Sequence, residues 1–294
     1  FTVKQSVANG GNGPVQATPY ALVNRSGESK DKDTWTIHTG PMAVYGGAAD
    51  YGIDFKDLKD AASKFDSTGG WLGFTDKYWL TALVPDQAKP FAGQFRAGAN
   101  DSFQADYAPT AGGIVQPGQQ SSYTSRFFAG GKDVSLLQHY QNDGHIELFD
   151  KAIDWGWFEI VEKPIFYYLD WLYRHIGNFG VAIILLTFTI RGLMFPIAQK
   201  QFASMAGMRA LQPKMKALQE RYKDDKPKLQ QEMMQLYKTE KVNPLGGCLP
   251  IFLQIPIFYA LYKTLLLAID VRHEPFALWI RDLSAPDPLT PVNL

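Results

Sequence analysis

Cysteine is all but absent: Cys248 is the only one in 294 residues. A single thiol excludes an intramolecular disulfide, and with it any zinc or iron–sulfur site built from the cysteines of one chain. Net charge is absent too, because 29 basic residues balance 29 acidic ones. Bulk charge therefore gives no nucleic-acid binder, and no specific nucleic-acid sequence is expected as a partner. No HExxH, GxSxG or phosphate-binding loop occurs, and His38, His139 and His145 are scattered. The 16 acids of residues 1–150 offer no geometry for glycoside chemistry and read as solvated surface. The chain is expected to be no enzyme, with no catalytic residue, no metal and no cofactor. No targeting segment is visible either. A start at Phe1 and a stop at Leu294 in proline-rich sequence set the expectation of an excerpt from a longer protein.

The neutral total hides a segregation. Residues 1–150 carry 12 basic and 16 acidic groups, whereas 199–244 carry 10 basic and 5 acidic. That basic stretch lies between two apolar runs. Residues 176–197 (IGNFGVAIILLTFTIRGLMFPI) hold one charge, Arg191, and as a helix would reach about 33 Å, enough for a hydrocarbon core of about 30 Å. Twelve Ile, Leu, Phe and Val residues supply roughly −4 to −7 kcal/mol toward insertion, against about +3 for one central arginine, so the helix inserts. Residues 245–269 form a second span, uncharged until Lys263 and kinked by Pro250 and Pro256. The positive-inside rule then puts 198–244 in the cytoplasm and 1–150 outside, with 270–294 returning to the outer side.

Each side of the spans has its own pattern. Residues 1–150 read as an antiparallel β-sandwich. Strands are predicted at TWTIHTG from Thr34, YWLTALV from Tyr78, FAGQFRA from Phe91 and YTSRFFA from Tyr123, and helices at FKDLKDAASKF from Phe55 and KDVSLLQHYQ from Lys132. Residues 155–175 read as an interfacial amphipathic helix with an apolar stripe at Val161, Ile165, Tyr168 and Leu172. Trp155, Trp157 and Trp171 are its expected anchors at the headgroup level; packing on the outer domain is the alternative. Residues 198–244 read as a helical hairpin turning at DDKP, Asp224–Pro227. Met205, Met208, Met215, Met233 and Met234 offer it a flexible thioether surface for apolar segments, or else fill the seam between its arms. Phe276, Trp279 and Ile280 with Arg281 and Asp282 suggest a further short surface element.

Within the first span, Thr187 precedes Arg191 by one helical turn and shares its face. Gln254 sits in the second span between two prolines. Polar groups at that depth are costly unless they meet water, each other or a ligand. The expected arrangement is a wet groove, open to the cytoplasm, where Arg191 faces the polar parts of a passing chain; the plainer alternative is a snorkelled arginine that only fixes tilt. A secondary transporter would also place an arginine and broken helices there. A membrane-tethered carbohydrate-binding module is the reading that the sandwich alone would allow.

The runs TFTIRGLMFPIAQKQFASMAGMRALQPKMKALQERY (Thr187–Tyr222), QQEMMQLYKTEKVNPLGGCLPIFLQIPIFYALY (Gln230–Tyr262) and PFALWIRDLSAPDP (Pro275–Pro288) resemble the YidC/Oxa/Alb family of membrane-protein insertases. The likeness covers residues 155–290; residues 1–150 are similar, more weakly, to the periplasmic domain of its Gram-negative members. The resemblance implies an insertase and chaperone of the bacterial inner membrane that passes nascent membrane proteins to the lipid bilayer, alone or with the Sec translocon. It implies five core spans around a hydrophilic groove, whose arginine maps onto Arg191, with Thr187 and Gln254 lining it. It also implies that the hairpin, Lys200–Lys241, receives substrates and contacts the ribosome and signal-recognition targeting machinery. The outer domain would be a β-supersandwich related to sugar-modifying folds, without enzymatic activity. The family's first anchor, last three core spans and basic tail are not in this sequence, which sets the expectation of two groove helices out of five.

Overall fold

Short runs that alternate apolar with polar residues dominate the first half of the chain, and strands form there. A computed structural model describes residues 1–30, 36–223, 225–240 and 249–286. It divides into two units, Phe1–Trp157 with Leu267–Asp270, and Phe158–Leu266 with the residues from Val271 on. The first unit is β-sandwich-like and the second is helical.

In the first unit the strands are β1 (Thr2–Ala8), β2 (Val15–Ala17), β3 (Ala21–Ser26), β4 (Gly40–Tyr45), β5 (Ala48–Asp50), β6 (Ser63–Thr68), β7 (Trp71–Thr75), β8 (Trp79–Val84), β9 (Pro90–Ala97), β10 (Ser102–Pro109), β11 (Gly113–Val115) and β12 (Gln120–Gly131). One sheet runs β1-β12-β8-β7-β4-β5, a second β3-β10-β9-β6, and β11 pairs with β2; the pairings are antiparallel. Period two decides which side chains go inward: Phe91 and Phe95 of β9 and Phe103, Ala105 and Tyr107 of β10 meet Leu72 and Phe74 of β7 in one apolar cluster. Helix α1 (Phe55–Asp60) adds Phe55 and Leu58 to it. Trp71, next to Leu72 on β7, faces the other way, where its ring meets Phe149 at 5.3 Å and its indole N–H donates to the Glu147 carbonyl at 3.2 Å. Helix α2 (Val134–Asn142), capped by Asp133, contributes the fully buried Leu137. With both faces covered, β7 is buried throughout, not on alternate residues.

Two sequence expectations shift here. The run from Thr34 lies partly outside the described residues, and at 36–39 it is turn and coil; the strand begins at Gly40. The predicted helix from Phe55 stops at Asp60, because Ala61 is extended (φ −153°), and its second half becomes β6, paired with β9. Helical spacing of Phe55 and Leu58 was real, but Phe65 belongs to a strand.

In the second unit, helix α3 (Glu159–Ile176) begins five residues ahead of Pro164, which therefore lies inside it and not in its first turn. The helix ends at Gly177, in the left-handed region (φ 70°), where a side chain would be strained. Asn178 then caps helix α4 (Phe179–Arg221), accepting from the Val181 N–H at 3.0 Å while donating to the Phe276 carbonyl at 2.7 Å. Phe276 lies so close to Gly180 that an added Cβ would sit 2.2 Å from its ring. Among the described residues α4 is the one helix long and apolar enough to cross a membrane. Its 43 residues continue through Pro196 and Pro213, so the first apolar run and the first arm of the expected hairpin are one helix. Helix α5 (Lys226–Thr239) has Pro227 in its first turn and Asp225 as its cap, accepting from the Lys228 N–H at 3.1 Å. It returns along α4: the Tyr237 hydroxyl donates to Met215 Sδ at 3.7 Å and Lys214 pairs with Glu240. Helix α6 (Leu249–Leu267) holds most of the second apolar run; residues 245–248, including Cys248, lie outside the described residues.

Candidate functional site

Arg191 is the one charge on α4 between Phe179 and Lys200, and the apolar residues around it are not packed away. Phe188, Leu193 and Phe195 are 71%, 74% and 59% exposed, the pattern of a helix whose surroundings are apolar. Arg191 is itself exposed, and its guanidinium carbon stands 5.7 Å from the centre of the Phe258 ring on α6, a cation–π contact. Thr187, one turn earlier, is exposed and donates its hydroxyl to the Ile183 carbonyl at 2.9 Å, which satisfies the group within its own helix. Gln254 is half-buried and lies one turn from Phe258 on α6, so it shares the face that Phe258 presents to Arg191. The structure thus brings Arg191 and the Gln254–Phe258 face of α6 together across two helices, with Thr187 one turn further along α4. A guanidinium held on an aromatic face keeps its five N–H donors available to carbonyls, carboxylates or water.

Helix α3 supports this pair. The Tyr168 and Thr189 hydroxyls hydrogen-bond at 3.0 Å, joining α3 to α4, and the Tyr173 and Phe179 rings meet at 5.0 Å. Just ahead of α3, Phe158 meets Tyr259 of α6 at 5.4 Å. The buried face of α3 is Glu162, Phe166, Leu169 and Leu172, one position round from the predicted stripe. Glu162 is 0% exposed, and its carboxylate lies 4.0 Å from the ammonium of Lys263, which is 1% exposed. Sequence reasoning missed this pair. The signal was there, since Glu162 precedes Phe166 and Leu169 at helical spacing and so stands on an apolar face, but its partner is about a hundred residues away.

The expected anchors separate. Trp157 and Trp171 are 98% and 51% exposed, whereas Trp155 is only 2% exposed. Trp155 is a core side chain of the first unit, so the expectation of a headgroup anchor there is corrected: a ring enclosed by protein has no surface to give to lipid. Of the five methionines, Met205 and Met234 are exposed, Met208 and Met233 are half-buried, and Met215 sits in the α4–α5 seam against Tyr237. After α6, Asp282 accepts from the Ser284 hydroxyl and N–H at 2.6 and 2.8 Å and bonds His273 Nδ1 at 2.7 Å. Those contacts, Ser284 first, hold its carboxyl well below the usual carboxylate range. The segment with Phe276 and Trp279 is a set of such turns, not a helix. Among the described residues no three His, Cys, Asp or Glu side chains gather as a metal ion would need.

Two family models match the chain: the YidC periplasmic domain over residues 1–168 and the 60Kd inner membrane protein over residues 171–294. The chain belongs to the YidC family. The membrane protein insertase YidC of Zymomonas mobilis is 54% identical over 298 residues, covering 100% of this chain and 51% of that protein. The insertase of Brucella suis is 45% identical over 300 residues, covering 100% and 49%. The chain thus spans about half the length of these YidC relatives. An active YidC insertase crystal structure with its first transmembrane domain resolved overlays 83% of this chain and 63% of its own at 20% identity, with a TM-score of 0.38. These relatives carry the name of an insertase of an inner-membrane family with a periplasmic domain, and the transporter reading finds no support in them.

Proposed function

We propose that this chain forms the outer domain and part of the groove of a membrane-protein insertase. In this reading α4, up to about Ile197, and α6 both span the inner membrane, the first unit is periplasmic, and the α4–α5 turn is a cytoplasmic hairpin. The observation that carries the reading is Arg191. It is an exposed guanidinium on a helix of membrane-spanning length, turned toward a half-apolar, half-polar face of a second apolar helix.

The chemistry is non-covalent. A nascent segment entering the bilayer must bring polar flanks and unpaired backbone groups through hydrocarbon, at several kcal/mol per uncompensated group. Arg191, with Gln254 and Thr187 near it, offers donors and an acceptor to those groups, so the barrier falls. The apolar stretch leaves sideways into lipid, driven by about 25 cal/mol for each Å² removed from water; no nucleotide is needed for that partition. The exposed Met205 and Met234 give the hairpin an adaptable surface for apolar segments before they enter. The Sec translocon, and the ribosome with its signal-recognition machinery, are the partners proposed.

The test places a photocrosslinking side chain at 191 in the full-length protein during synthesis of a membrane protein. Capture of the nascent chain is expected, and Arg191→Ala should reduce insertion while Arg191→Lys retains part of it. Unchanged insertion in both variants would remove the charge from the mechanism.

A further inference from the structure

The face that α6 presents to Arg191 is not fixed by hydrophobicity. Between Leu249 and Leu267 the only charge is Lys263 and the only strongly polar neighbours are Gln254 and Thr264. A helix that is apolar on nearly every side gains much the same burial in any rotation, in protein or in lipid. A turn of one residue, about 100°, would carry Gln254 and Phe258 away from Arg191.

We infer that the buried Glu162–Lys263 pair is the positioning element that selects this rotation and holds the groove face of α6 toward Arg191. Lys263 is 1% exposed and Glu162 0%, with 4.0 Å between their charged atoms. The Lys263 ammonium also stands 6.0 Å over the Tyr259 ring, and Tyr259 packs on Phe158, just before the start of α3. Lys263 belongs to the buried side of α6 with Ala260, Thr264 and Leu267. Five residues separate it from Phe258, so the two side chains point about 140° apart round the helix: one faces α3, the other faces Arg191. Rotating α6 would strip a buried ammonium and a buried carboxylate of each other, which packing of Leu against Phe cannot offset. Buried ionic pairs add little net stability over apolar residues of equal size, but a polar contact inside an apolar seam fixes register. Helix α3 is itself tied to α4 through Tyr168 and Thr189. The chain of contacts therefore runs from Lys263 through α3 to the helix that carries Arg191.

This inference rests on the groove reading for its consequence, but its geometry can be read separately. Phe258 is replaced by the photoreactive aromatic p-benzoylphenylalanine in the full-length protein in membranes, and the cross-links on α4 are mapped by mass spectrometry. Cross-links centred on the Thr187–Arg191 turn are expected in the otherwise unchanged protein. Glu162→Gln and Lys263→Met should each spread them to other faces of α4 and lower insertion by about fivefold or more. The exchanged pair, Glu162→Lys with Lys263→Glu, should restore the original map, while Glu162→Met with Lys263→Met should fold yet leave it spread. An unchanged map in the single variants, or full recovery in the Met/Met variant, would overturn the inference. A spread map with undiminished insertion would support the positioning role and instead overturn the groove reading.

Discussion

Replacing Asp76 by Asn should loosen the two sheets of the first unit in a way that depends on pH. Arg25, on β3 of one sheet, reaches Asp76, just after β7 of the other, with two parallel N–H donations at 2.7 and 2.9 Å. The two side chains are 20% and 25% exposed. A bidentate charge-assisted pair at that depth contributes about 1–2 kcal/mol, less than a fully buried one because water still screens it. For a unit of this size that is a drop of about 3–6 °C in melting temperature. Burial pushes the Asp76 carboxyl up, but hydrogen bonds from Arg25 and Ser29 together with the charges of Arg25 and Lys132 outweigh it and hold it below the ordinary 3.8. A carboxyl depressed on folding stabilises above its unfolded value and loses that contribution as pH falls through the folded one. The gap between wild type and Asp76→Asn should therefore be full at pH 7 and shrink below about pH 4. Thermal unfolding followed by near-ultraviolet circular dichroism across that range measures it. A gap that is absent at pH 7, or that stays constant down to pH 3, would refute the argument.

Phe103→Ala empties a fully buried site in the aromatic cluster and should cost about 3–5 kcal/mol, seen as a lowered denaturant midpoint. At Gly73 an added Cβ would stand 1.9 Å from the Thr81 carbonyl oxygen of the paired strand, so Gly73→Ala should leave the first unit unable to form the β7–β8 pairing, measured by loss of amide protection there. Asp282→Asn weakens the contacts to Ser284 and His273 that close the turn after α6, and trypsin should then cut at Arg272 and Arg281 several-fold faster.

What could be read in advance depended on how local the cause was. The strands β8, β9 and β12 and the first apolar run carry their signals within a few residues, and the chain follows them there. The strands β4 and β7 are covered on both faces, so they lack alternation, and their glycine and methionine hid them. The helix read from Phe55 ran too far because strand pairing with β9 overrode a continuing helical rhythm. Of the candidate groove, Arg191, Thr187 and Gln254 were legible as polar groups in apolar runs; Phe258 and the Glu162–Lys263 pair were not, since only tertiary packing joins α3 to α6. Trp155 shows the opposite failure: aromatic composition near a span suggested an interface, while packing placed that ring in a core.

The central claim is that the surroundings of Arg191 are wet and reached from the cytoplasm. It is tested most directly by a single cysteine at Thr187, with Cys248 replaced by Ser, exposed in intact membranes to a charged maleimide that cannot cross them. The account predicts rapid modification when the reagent is on the cytoplasmic side and little from the periplasmic side. Modification only by an uncharged, lipid-soluble maleimide would contradict it, because that face of α4 would then lie in dry hydrocarbon.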